Sequence, residues 1–337
     1  MKKQKILSSV IASLLLLAAA ACQPAIVAWP VITAENAAQL TPAVQSSEIS
    51  AISELDWSAD GSSLVALSSS GALSLDGKTL EKREALVFES PAILYAAAND
   101  GKTLANSPDG LEIRIVSLDS KVETLTLSMP YPVSHIDLSG DGSQLLTVSM
   151  EDILVSLWDI SNGQVVQTLT EFETAAPVYN AFYGEDGRHI IWVARGSVQL
   201  SPIDGSDEAL SFGHEDFVTS AALSPDGKWF ATAAAGTVDG VFQPVIYLWH
   251  TADGSPAGTL THPEGFNEVT FSPDGQLLAA ASGRTILIWD LANMQQAATL
   301  ENGGENVLAL AFKPDGTALA SADSAGGIRL WQVSLQD

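Results

Sequence analysis

A chain of 337 residues with 46% apolar and only 16% charged content is long enough to bury a large core and too apolar to remain disordered. Its formal charge of −25 at pH 7 repels phosphate backbones and anionic lipid headgroups, so nucleic acid is excluded as an expected partner. The single cysteine excludes an internal disulfide and a Cys-based metal site.

The chain opens with a basic run around Lys2, Lys3 and Lys5, followed by an apolar run over residues 6–21 that ends in small residues before Cys22. That run is short for a transmembrane helix and reads as a secretory signal. It resembles a bacterial lipoprotein signal, in which the cysteine is lipid-modified and becomes the first residue. Ala19 stands where that signal more often has Leu. Residues 1–21 are then a lipoprotein signal peptide, Cys22 is the lipidation site, and residues 22–35 are a tether without regular structure. A plain secreted protein with a chance cysteine is the alternative. The resemblance implies an extracytoplasmic, membrane-anchored protein that touches membrane through its anchor alone.

Beyond the tether the text repeats. Asp-Gly pairs stand at Asp60-Gly61, Asp100-Gly101, Asp141-Gly142, Asp186-Gly187, Asp226-Gly227, Asp274-Gly275 and Asp315-Gly316. One such pair marks a turn and little else. Seven at a pitch of roughly 40–45 residues, each inside a set of short apolar runs, signal four-stranded propeller blades. In residues 266–301 the unit is complete, with apolar runs around Val269, Leu277 and Thr285 and a fourth ending at Leu300. The last unit stops after its third strand at Trp331, and an open blade would leave an unpaired edge. Residues within 36–44 are therefore expected to supply its fourth strand. The fold class is all-β: a seven-bladed β-propeller of four-stranded antiparallel blades over residues 36–337, closed by an N-terminal strand.

Trp158-Asp159, Trp289-Asp290, Trp249 and Trp331 at the ends of third strands, with Gly213-His214 twelve residues before Asp226, resemble the WD-repeat family. A related bacterial propeller family shares the Ser-Pro-Asp-Gly turn, but the Trp-Asp ends favour the WD likeness. Units one, two and four lack the Trp-Asp pair. The resemblance implies a buried hydrogen-bonded set of His, hydroxyl, Trp and Asp within a blade. Carried over, His214, Thr232 and Trp249 match in unit five, with Asp239 as candidate acid. Ser321, Asp323 and Trp331 match in unit seven, where Gly303 occupies the histidine position. All of these would be structural, because buried polar groups need partners.

Catalytic patterns are absent from the sequence. The five histidines show no metal-ligand spacing, and there is no nucleophile elbow and no phosphate loop. No cofactor and no metal are expected. The expected function is non-enzymatic: a lipid-anchored monomeric scaffold that binds a protein or peptide. The alternatives are a carbohydrate- or envelope-binding module and a hydrolase using carboxylates in the central channel. The partner site is expected on the face opposite the Asp-Gly turns. There an insertion over residues 235–244 enlarges the second connection of unit five, and Val241 and Phe242 would rim the site with Tyr131 and Phe172 as aromatic anchors. The alternative is that Phe242 folds back onto its own or the next blade.

Overall fold

The computed structural model describes residues 29–46, 51–151, 154–169, 178–206 and 208–334. Among them, strands form seven four-stranded antiparallel sheets, and the only helix is a single 3-10 turn at Ala37–Gln39. Each sheet is one blade, with strands a to d running from the central channel to the rim. Blade one comprises Glu54–Trp57, Ser63–Ser68, Gly71–Asp76 and Lys82–Val87. Its strand b is buried along its whole length, whereas strand d is mostly exposed or half-buried. Short strands of Ala, Leu, Val and Ile suit the two middle positions, where both faces meet a neighbouring blade.

The Asp-Gly pairs form the a–b turns, where each glycine has positive φ, between 65° at Gly61 and 75° at Gly101. The aspartate before it caps the turn: Asp274 accepts from the Ser272 hydroxyl at 2.6 Å and from the backbone N–H of Gln276 at 3.1 Å.

Blade seven joins the two ends of the chain. Its strands Val307–Phe312, Leu319–Asp323 and Ile328–Val333 are completed by Leu40–Ser46, which pairs with Ile328–Val333 from Leu40 opposite Val333 to Ser46 opposite Ile328. The expected closing strand is therefore present, displaced a few residues toward the C-terminus. The packed chain also begins earlier than expected. Ile32 is 2% exposed, lies in the blade-seven core, and donates its N–H to the Gly316 carbonyl at 2.9 Å. The last residues assigned to the tether 22–35 thus belong to the propeller, because an isoleucine beside the blade seven turn finds apolar cover there. Residues 1–28 and Cys22 lie outside the described residues.

Candidate functional site

Two regions of the propeller carry chemistry: the central channel and the face bearing the b–c and d–a connections. The channel has a volume of about 1550 Å³ and is lined by strand a of every blade. Alternation along a strand aims every second side chain into it. Glu54 and Asp56 of blade one, Asp137 of blade three, Glu185 of blade four and Glu268 of blade six all line it.

Burial, followed by repulsion from Asp56, pushes Glu185 up to about 7 and Glu268 up to about 8. Burial raises Asp56 to about 6 and Asp137 to about 7, and it holds Glu54 well above the carboxylate range. Repulsion from Asp56, two residues along the same strand, and from Asp137 adds to burial at Glu54. Glu185, in the a–b turn of blade four, is the most exposed of the five. It still meets the Thr270 hydroxyl of blade six.

Two of these carboxyls also bind adjacent blades together. Asp137 accepts from the backbone N–H of Tyr183 at 2.7 Å, and Glu54 accepts from that of Ala97 at 3.2 Å. No cluster of His, Cys, Asp or Glu among the described residues is disposed to hold a metal ion.

The structural set expected in blade seven forms, with an additional member. The Trp331 indole donates to the Ser321 hydroxyl at 2.9 Å, and the Asn302 amide donates to Asp323 at 3.2 Å. Arg329 pairs with Asp323 at 2.9 Å. Asn302, rather than Gly303, fills the histidine position: its side chain reaches inward while Gly303 turns the chain at φ 67°.

In blade five the set is only half made. Trp249 donates to the Thr232 hydroxyl at 3.1 Å. His214 packs against Tyr247 and edge-on to Trp249, and both of its ring nitrogens lack a hydrogen-bond partner. Burial lowers its imidazole to about 4, so it is neutral at pH 7. Asp239 does not complete the set, because it stands at the hairpin tip with φ 51° and is exposed.

Two further sites were missed from sequence. Trp158 donates to Thr147 at 2.9 Å in blade three, and His262 contacts the Ser282 hydroxyl at 2.9 Å in blade six. A Gly-His search overlooks His262 because Thr261 precedes it.

On the connection face, the insertion of blade five is a long hairpin made of Trp229–Val238 and Val241–His250. Gly236 is required by a close approach, since a Cβ there would meet the Tyr247 hydroxyl. Val241 is 59% and Phe242 58% exposed. Tyr131, 42% exposed, lies in the connection between blades two and three. Phe172 lies outside the described residues. The sequence reading did not single out Phe217, Met150, Leu111 and Ile93, which are exposed in connections of the same face. Single apolar residues in loops carry no periodic signal that could have found them.

Comparison with known proteins adds to this geometry. Residues 207–241, 254–290 and 294–332 match the WD domain, G-beta repeat. The chain is 28% identical over 228 residues to Periodic tryptophan protein 2 of Arabidopsis thaliana, covering 64% of this chain and 24% of that one. It is 32% identical over 132 residues to Small ribosomal subunit protein RACK1 of Drosophila melanogaster, covering 36% and 39%. An uncharacterized WD repeat-containing protein of Synechocystis is 29% identical over 163 residues, covering 47% and 44%. The chain thus spans less than half the length of each of these relatives. Three matched repeats within a ring of seven four-stranded blades support placing this chain in the WD-repeat β-propeller family.

Proposed function

We propose that the protein is a non-enzymatic binding platform, anchored outside the cytoplasm through lipid on Cys22, that holds a protein or peptide partner on the face carrying the b–c and d–a connections. The distribution of exposed apolar side chains carries this reading. Ile93, Leu111, Tyr131 and Met150 on blades two and three, with Phe217, Val241 and Phe242 on blade five, all stand in connections of that face. Val31, Val87, Val122, Val165 and Val166 are exposed elsewhere, but the strongly exposed aromatic side chains among the described residues all stand on this face, which is characteristic of a protein contact. Tyr131, Phe217 and Phe242 are the side chains suited to act as anchors. Membership of the WD-repeat family agrees with protein binding. The anchor and the extracytoplasmic location rest on the N-terminal sequence alone.

The test is to replace Val241 and Phe242 by Ser and compare the proteins cross-linked to variant and wild type. Loss of specific cross-links from a folded variant is expected. An unchanged set at unchanged yield would remove blade five from the site. Hydrolysis by channel carboxylates is the second reading, favoured by the buried carboxyls of Glu54, Asp56, Asp137 and Glu268 that line one channel. Glycosidase assays on wild type and Glu54→Gln decide it.

A further inference from the structure

The blade-five hairpin offers more than exposed side chains. Strand a of that blade pairs with strand b only as far as Ala233, and strand d pairs with strand c only from Val245. From Ala234 to Pro244 the blade therefore continues as a two-stranded ribbon with no strand on either edge. The tip, Asp239 at φ 51° and Gly240 at φ 78°, is a two-residue turn whose flanking pair is Val238 and Val241.

In such a hairpin the flanking pair exchanges hydrogen bonds, and the next pair turns its N–H and C=O groups outward. Alternation thus points the backbone of Ala235 and Thr237 to the inner edge and that of Phe242 to the outer edge. The parity agrees with the lower blade, where the outward carbonyl of Ala233 accepts from the Thr219 N–H at 2.8 Å. On the outer edge Pro244 takes the other outward position and has no N–H, so that edge is blunted. No proline or lysine protects the inner edge over residues 234–238.

The surroundings are acidic. Glu215 and Asp216 lie in the connection that enters blade five, Asp239 is at the tip, and Glu264 lies in the connection that leaves the blade. Thr237 donates its hydroxyl to Glu215 at 2.9 Å, which ties the inner edge to that connection. Of the cations near these carboxylates, Arg195 lies over the Phe217 ring at 5.3 Å and Arg284 pairs with Glu305 at 3.6 Å.

We propose that an extended, lysine- or arginine-bearing segment of a protein partner adds as a strand to the inner edge of this hairpin, pairing with Ala235 and Thr237. The proposal rests on the interaction-face reading and names the partner's chemistry. Backbone pairing supplies affinity with little demand on sequence, and the carboxylates select the sign of the charge.

Thr237→Pro tests it. The substitution removes an outward N–H outside the hairpin's own ladder, as Pro244 does on the other strand. Thr237→Val keeps the N–H and loses only the bond to Glu215. The probes are a fluorescein-labelled peptide of alternating valine and lysine, its valine–glutamate counterpart, and the lysine peptide N-methylated at alternate residues. At physiological salt the lysine peptide should bind wild type and Thr237→Val alike and Thr237→Pro about tenfold more weakly. The other two peptides should not bind. The N-methyl peptide tests backbone pairing without altering the protein. Equal binding to Thr237→Pro, equal binding of the N-methyl peptide, or no binding to wild type overturns strand addition. If one of those results accompanies loss of cross-links in the Val241→Ser, Phe242→Ser variant, the interaction face stands and strand addition falls. If those cross-links are also unchanged, both fall.

Discussion

Leu40 pairs with Val333, and the Thr41 and Ser334 hydroxyls meet diagonally across that pair at 3.0 Å. Two ends of the chain nearly three hundred residues apart thus share one blade. Removing the N-terminal partner would expose the strand Ile328–Val333 along its outer edge and take Ile32, Ala37 and Leu40 out of the core. A buried Leu or Ile is worth about 1.5–3 kcal/mol. A chain trimmed to begin at Ser46 should therefore lose on the order of 5 kcal/mol, a large share of a typical domain's stability. Thermal melts of both chains check this, and an unchanged Tm would mean the ring does not depend on its closing strand.

Trp331 and Ser321 are both buried, and the hydroxyl is the acceptor for the indole N–H. Ser321→Ala leaves that N–H in the core without a partner and should cost about 1–3 kcal/mol. Trp331→Phe removes the donor as well, so after it Ser321→Ala should cost less than it does alone. Denaturant titration of the two single variants and the double variant measures the coupling. Strict additivity would show that the bond contributes nothing.

The blades were legible in the sequence because turn chemistry repeats. Asp-Gly fixes a positive-φ position that few residues can take, so its pitch survives where Trp-Asp is lost, as in blades one, two and four. The closing strand was legible from an absence, since the last unit ends after strand c. Side-chain sets were less legible. Asn302 does the work expected of a histidine one residue later, and an amide hydrogen-bonds without any histidine signal. The channel carboxyls were scarcely legible. Period two puts Glu54 and Asp56 on one side of a strand, but only ring closure brings that side toward Asp137 and Glu268.

Lipid on Cys22 should decide where the protein sits. A cysteine carrying several acyl chains holds to a membrane stably, whereas a single chain does not. Cys22→Ser should move the protein from the membrane fraction to the soluble fraction, and mass spectrometry of wild type should find residues 1–21 absent. Retention of the variant on membranes to the wild-type extent would place the anchor elsewhere.

The channel should make stability fall as pH rises. Asp56, Asp137 and Glu268 keep their protons in the folded ring up to about 6, 7 and 8 because burial disfavours their charged forms. The unfolded chain releases the same protons near pH 4, the ordinary carboxylate value. Between those limits the native state binds more protons, so stability decreases with pH. The contribution is complete below about pH 4 and is lost as pH rises through about 6 to 8. At the acid end the sign reverses for the turns. Asp60, held low by the Ser62 backbone N–H and the Ser58 and Ser62 hydroxyls, and Asp141, held low by Ser143 and Ser139, lose those bonds on protonation. Tm should therefore peak near pH 4 and decline toward pH 8. Asp56→Asn with Glu268→Gln should flatten that decline, because an amide has no proton to release. Asp137→Asn should flatten it further while keeping an acceptor for the Tyr183 N–H. Wild-type melts equal at about pH 5 and pH 8 would mean the channel carboxyls ionise at ordinary values, with water rather than protein as their surroundings.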